Sequence, residues 1–364
     1  MIDRRRFIHA AALSGTGLGL TALAAKAGLL RRARAAESLQ VLNWQGYGTD
    51  ESWAVKAFAD MTGVEVVHDY FNSEQEMLTK LRTSPGTYDV VLINSAFTEP
   101  AAREGLIQPV DPGKIGNFGD LVPTLRDSPR FMIDGKLYGI AWVWGMTAIA
   151  YNTEELTTAP KTIEVLWDPE FAGRVGWRDD AVEAVSLAAI ATGQDMNHPA
   201  DLDAVREKLR ALKPQIKAFW SSEDEWNKFF SAGLFDLSPY WSGSAARSAT
   251  NFGLPVGYFV PQEGAIGWFD GLSVATDAPN PDAAHAFIDF MVDPEFYVRW
   301  ATEVGAPASA NAKALSALPE DNRVRQIHSD EEAMQRLQWM APLSDQERQT
   351  YTQIWNETKA HFAR

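Results

Sequence analysis

Cysteine is absent from all 364 residues. That excludes disulfides, thiolate nucleophiles, cysteine-ligated iron–sulfur clusters and a lipid-modified N-terminal Cys. The fold must therefore be held by its core, which a chain of this length is large enough to build. Histidine is scarce: His9, His68, His198, His285, His328 and His361 are scattered without ligand spacing, so no metal site is expected. The motifs GxxxxGK[ST], HExxH and GxSxG are missing, and the glycine-rich "GTGLGL" at 15–20 follows no strand that could present it to a pyrophosphate. No cofactor is implied. Positive charge is also in short supply, with 33 basic against 48 acidic residues and a net charge of −15. Seven of those basic residues and a single acid fall within the first 35 positions, so the remainder carries −21. Such a surface repels nucleic acid and anionic membranes and weakly attracts cations.

The basic residues that do exist are concentrated for a reason. "DRRRFIHAAALSGTGLGLTALAAKAGLL" joins an arginine cluster to an apolar, glycine- and alanine-rich stretch, and "RRARAAES" follows. This has the layout of a cleavable export signal with small residues near Ala35, and the arginines before Phe7 resemble the twin-arginine class. Lys26, Arg31 and Arg32 interrupt the stretch too soon for a membrane anchor. A soluble periplasmic protein is expected, with residues 1–35 as its signal.

Beyond the signal the pattern alternates. Leu39–Asn43 reads as a strand, Asp50–Thr62 as a helix stopped by Gly63, and Val64–Val67 as a second strand. Ser73-x-x-Glu76 is a capping box opening a helix through Leu81. The continuous apolar run in "YDVVLIN" marks a strand buried on both faces, and Glu99-Pro100 predicts a further helix start. "GKLYGIAWVWGMTAIAYN" breaks this alternation and reads as a strand leaving one domain for the next. A second α/β region follows, with helices near 181–192 and 201–212, and Asn280-Pro281 opens a later helix.

Aromatic and acidic residues gather in four turns: "NWQGY" (43–47), "RDDAVEAV" (178–185), "PYWSGSA" (239–245) and "IGWFDG" (266–271). Large rings are out of place in turns unless something lies against them. Carboxylates and ring faces together suit a cation stripped of water, and flat indoles suit methylenes. Asp180 and Glu183, three apart at a helix start, can face one ammonium group, although Asp180 alone fits an N-cap equally well.

These segments, in order with "YDVVLINS", "EGLIQPVD", "GKLYGIAWVWGMTAIAYN", "LWDPEFAGRV" and "PQEGAIGWFDGLSV", resemble the spermidine/putrescine periplasmic binding proteins of ABC importers over nearly the whole mature chain. The resemblance implies an α/β, two-lobed periplasmic binding protein fold of type II, with crossover strands joining the lobes and the ligand cleft between them. By that likeness residues 36–142 and 269–314 form lobe 1, and 146–264 and 320–364 form lobe 2. It implies a monomeric receptor rather than an enzyme, passing a polyamine or related cationic amine to a permease in the inner membrane. The residues falling on the family's cleft are Trp44, Tyr47, Asp180, Glu183, Trp241, Trp268 and Asp270. The other ten tryptophans are read as structural.

Departures from the family lie where it grips the far end of its ligand: Gly46, Asn94, Ala96, Ala306 and Met340 stand where acids or polar groups are expected. One end of the slot keeps its charge and the other is read as emptied, which points to a different amine, with one cationic end and a bulkier or neutral other end. Two alternatives stand beside this reading. One is an exported α/β hydrolase or lyase using its acids, and the other is a same-fold receptor for a non-polyamine ligand. Ferric iron is a poor candidate for the second, since the nine tyrosines form no adjacent pair.

Overall fold

The computed structural model describes residues 38–363, so the export-signal reading of 1–35 lies outside them. Eight strands form the frame: β1 (Ser38–Asn43), β2 (Glu65–Tyr70), β3 (Val90–Asn94), β4 (Ile140–Asn152), β5 (Val175–Arg178), β6 (Ile216–Trp220), β7 (Leu237–Trp241) and β8 (Ala265–Ala275). Their spatial order is β2-β1-β3-β8-β4-β7-β5-β6. β1 runs parallel to β2 and β3, and β5 runs parallel to β6 and β7. Between these two parallel sets lie β8 and β4, antiparallel to each other and to their outer neighbours. The chain therefore crosses between two α/β lobes on a pair of long strands.

The apolar pattern explains the arrangement. In β3 the run Val90–Ile93 is buried, as expected of a strand covered by helices on both faces. The first eleven residues of β4 are buried, with the indole N–H groups of Trp142 and Trp144 donating to the carbonyls of Met291 (2.9 Å) and Ser309 (3.0 Å). A buried Trp usually finds such an acceptor. One core gathers around β1, β3, β4 and β8; others gather on the far side of β4, around Trp177 and around Trp226.

Helices α1 (Ser52–Thr62), α2 (Glu74–Thr83), α3 (Ser95–Arg103), α4 (Ala181–Ala191), α5 (Ser242–Phe252) and α6 (Asp345–Phe362) bear on the site. Ser73 caps α2 by accepting from the Glu76 N–H, as the capping-box spacing predicts. α3 departs from expectation. It begins at Ser95, capped by the Asn94 side chain, and Pro100 lies inside it rather than at its start. An Asn directly after a strand is a strong cap signal, and here it outweighs the preference of Pro for a first turn. β2 also runs three residues beyond the expected Val67, because its partner β1 holds register as far as Asn43↔Tyr70.

Candidate functional site

The C-terminal ends of β1, β3, β5 and β7 converge between the lobes, where open α/β sheets bind ligands. There they line a cavity of about 1080 Å³. All seven residues singled out from the sequence line it: Trp44, Tyr47, Asp180, Glu183, Trp241, Trp268 and Asp270. So do five charged residues that sequence reasoning missed, Glu74, Arg178, Glu223, Arg247 and Arg348.

The turn after β1 is built by Asn43, whose side chain donates to Tyr47 O (3.2 Å) and Thr49 Oγ1 (2.7 Å) and accepts from the Trp44 N–H (2.7 Å). Gly46 and Gly48 take positive φ, +70° and +80°, and a Cβ on Gly48 would stand 2.7 Å from the Trp300 ring. Gly48 therefore lets the turn settle on that indole, which also meets Tyr47 edge-on at 6.2 Å. Packed this way, the Tyr47 hydroxyl reaches across to donate to Asp270 Oδ2 at 2.9 Å. Trp44 packs edge-on against Phe71.

Asp270 sits where β8 changes register, directly opposite Asn94 of β3. That pairing brings the Asn94 amide to its Oδ1 at 2.8 Å. Burial pushes the Asp270 carboxyl up to about 6, against the lowering effect of Asn94 and Tyr47. Glu74, at the start of α2, is pushed further, to about 8, first by burial and then by the charge of Asp270. Its Oε2 is shut from solvent and has no hydrogen-bond partner among the described residues, as are Glu183 Oε1 and the Trp268 indole nitrogen. Trp268 packs against Gly145, its cross-strand partner on β4, where a Cβ would stand 2.4 Å from the ring. Glu74 escaped notice because it reads as the first residue of a capped helix. Its only sequence signal is an acid one step past the Ser cap.

The other wall differs from expectation. Asp180 caps α4 by accepting from the Glu183 N–H at 2.9 Å. The carboxylates of Asp180 and Glu183 both turn toward Arg178 at the end of β5: Nη1 donates to Glu183 Oε2 at 2.9 Å, and Nη2 stands 3.8 Å from Asp180 Oδ2. The same guanidinium lies 4.7 Å from the centre of the Trp241 ring. Burial raises the Glu183 carboxyl while Arg178 pulls it down. On α5, Arg247 is bound by Glu223 through its Nε at 2.9 Å.

The departures also sort differently. Asn94, Ala96 and Met340 line the cavity, whereas Ala306 is fully buried and Gly46 is exposed on the outside of its turn. The region around Asn94 is not emptied of charge as expected, because Glu74 and Asp270 meet there.

Two α/β lobes, strand ends aimed at a shared cavity, and paired crossover strands define a two-lobed solute receptor. The family model for bacterial extracellular solute-binding proteins matches residues 53–326, and the chain belongs to that family, whose members are receptors rather than enzymes. It is 30% identical over 310 residues to the spermidine/putrescine-binding periplasmic protein of Escherichia coli, covering 83% of this chain and 86% of that one. It is 27% identical to the putrescine/agmatine-binding protein of Pseudomonas aeruginosa, covering 88% and 92%. Among solved structures, a spermidine/putrescine ABC transporter substrate-binding protein from Streptococcus pneumoniae matches with a TM-score of 0.80 and 26% identity, over 90% of this chain and 99% of the other. The hydrolase or lyase alternative finds no support in these relatives.

Proposed function

We propose that this protein is the periplasmic receptor of an ABC importer, binding a polyamine or related cationic amine between its lobes and delivering it to a permease in the inner membrane. Export through the N-terminal signal, cleavage near Ala35 and action as a monomer complete this reading, with 36–142 plus 269–314 and 146–264 plus 320–364 as the two lobes. The observation that carries it is the carboxylate pair Glu74 and Asp270, buried with Tyr47 in a cavity that the indoles of Trp44 and Trp268 also line. Two acids in a closed, low-dielectric space repel one another, and an ammonium group relieves that cost while the rings cover its methylenes. Relatives named for spermidine, putrescine and agmatine support the same ligand class. Calorimetry on the purified mature chain with diamines, polyamines, monoamines and amino acids tests it. Heat on titration with amines is expected; binding of acidic sugars or metal ions in their place would overturn the reading.

A further inference from the structure

Five carboxylates line the cavity: Glu74, Asp180, Glu183, Glu223 and Asp270. Three of them already face an arginine of this chain, Asp180 and Glu183 through Arg178 and Glu223 through Arg247. Glu74 and Asp270 have no arginine partner among the described residues. The Asp180–Glu183–Trp241 corner, two carboxylates and a ring face, has the composition an ammonium group needs, and the Arg178 guanidinium occupies it from within. An arginine keeps its charge at any physiological pH, so it cannot yield the corner by losing a proton. A second ligand cation brought there would meet a fixed positive charge instead of free acids.

We propose that Arg178 is a built-in second cation that sets specificity: the cavity selects an amine with one ammonium group, held by Glu74 and Asp270, whose other end is uncharged and accepts hydrogen bonds from Arg178. The guanidinium is equipped for this. Among the described residues its Nε has no acceptor, and its Nη2 has only the 3.8 Å contact with Asp180, so donors remain for a hydroxyl or carbonyl oxygen. This inference rests on the amine reading above and narrows it.

Putrescine and 4-aminobutanol share a four-carbon chain and differ in one terminal group, ammonium against hydroxyl, which makes them the probes. Calorimetry on the wild-type protein is expected to show 4-aminobutanol binding more tightly; putrescine binding as tightly or more tightly overturns the proposal. In Arg178→Gln the ratio of the two dissociation constants should move toward putrescine by tenfold or more, and Arg178→Lys, which keeps the charge, should hold the wild-type order. A ratio that moves less in Arg178→Gln removes Arg178 from specificity but leaves the amine reading standing. If neither amine binds the wild-type protein or the variants, the amine reading itself fails and this inference with it.

Discussion

At the scale of single residues, the cavity stores an electrostatic cost. Asp270 keeps hydrogen bonds from Tyr47 and Asn94, yet burial still lifts it to about 6, so its charge is poorly served until a cation arrives. Asp270→Asn, which removes that costly charge, should therefore make the empty fold more stable at neutral pH and cost the amine complex about 3–5 kcal/mol, the usual loss when a buried charge is deprived of its partner. Calorimetry paired with a melting curve separates the two effects. Glu74 makes the cost visible in pH. Raised from 4.5 to about 8, it keeps a proton in the native state that the unfolded chain has already released, so stability falls as pH rises through that window. Asp270 acts in the same sense, but only up to about 6. His328, buried and lowered to about 4, works the other way: below 6.5 the unfolded chain takes up a proton that the native one refuses, and stability falls as pH drops. Between pH 6.5 and 8, Glu74 alone of the three titrates. The empty protein should melt lower at pH 8 than at pH 6.5, and Glu74→Gln should flatten that slope. Amine binding needs the carboxylates charged, so affinity should run opposite to stability and rise from pH 6 to pH 8.

At the scale of elements, one side chain can serve two purposes. Asp180 satisfies the first turn of α4 and also stands beside Arg178. Asn caps as well as Asp, whereas Ala loses the bond at a cost of typically ~1 kcal/mol. Asp180→Ala should therefore lower the melting temperature while Asp180→Asn leaves it nearly unchanged; equal losses in both would mean that the charge, and not the cap, stabilises this turn. The crossover strands are a second case. Trp268 packs where Gly145 offers no side chain, so Gly145→Ala should destabilise by about 1–3 kcal/mol through overpacking, read by denaturant melting. Much of this level was legible in the sequence, because each cue was local. The strand-to-helix turns that carry Trp44, Tyr47, Asp180 and Trp241 announce themselves by rings and acids beside small residues. What stayed hidden was pairing over distance. Arg178 gives no sign in the sequence that it will lie on a ring 63 positions away, and Glu74 none that β8 will bring Asp270 to it. The shift of the α3 start from Glu99 to Ser95 was a contest between two local cues, the Asn cap and the proline, that a single sequence does not weigh.

The whole molecule sets how these corners are used, because residues from both parallel strand sets line the one cavity. On α6, Arg348 holds its own chain by donating to Leu343 O at 2.7 Å and places its guanidinium 4.8 Å from the ring of Phe97 on α3. On the same seam, Asn251 of α5 donates to Val304 O at 3.1 Å. By the proposed lobe division these contacts span the two lobes, and a motion that separates the lobes would break them. If closure is a two-state equilibrium, the apparent dissociation constant is the intrinsic one divided by the fraction of molecules that are closed. A cation–π contact at a partly exposed site is worth about 0.5–1 kcal/mol, so Arg348→Ala should weaken binding by roughly two- to fivefold. Because the loss acts on closure, it should be the same for every amine that binds and should leave the order of preference untouched. That is the opposite signature from Arg178→Gln, which changes the order. Small-angle scattering adds the matching structural readout, a larger radius of gyration for ligand-free Arg348→Ala that saturating amine returns to the wild-type value. A loss that differs from one amine to the next would mean that Arg348 touches the ligand itself and is no latch.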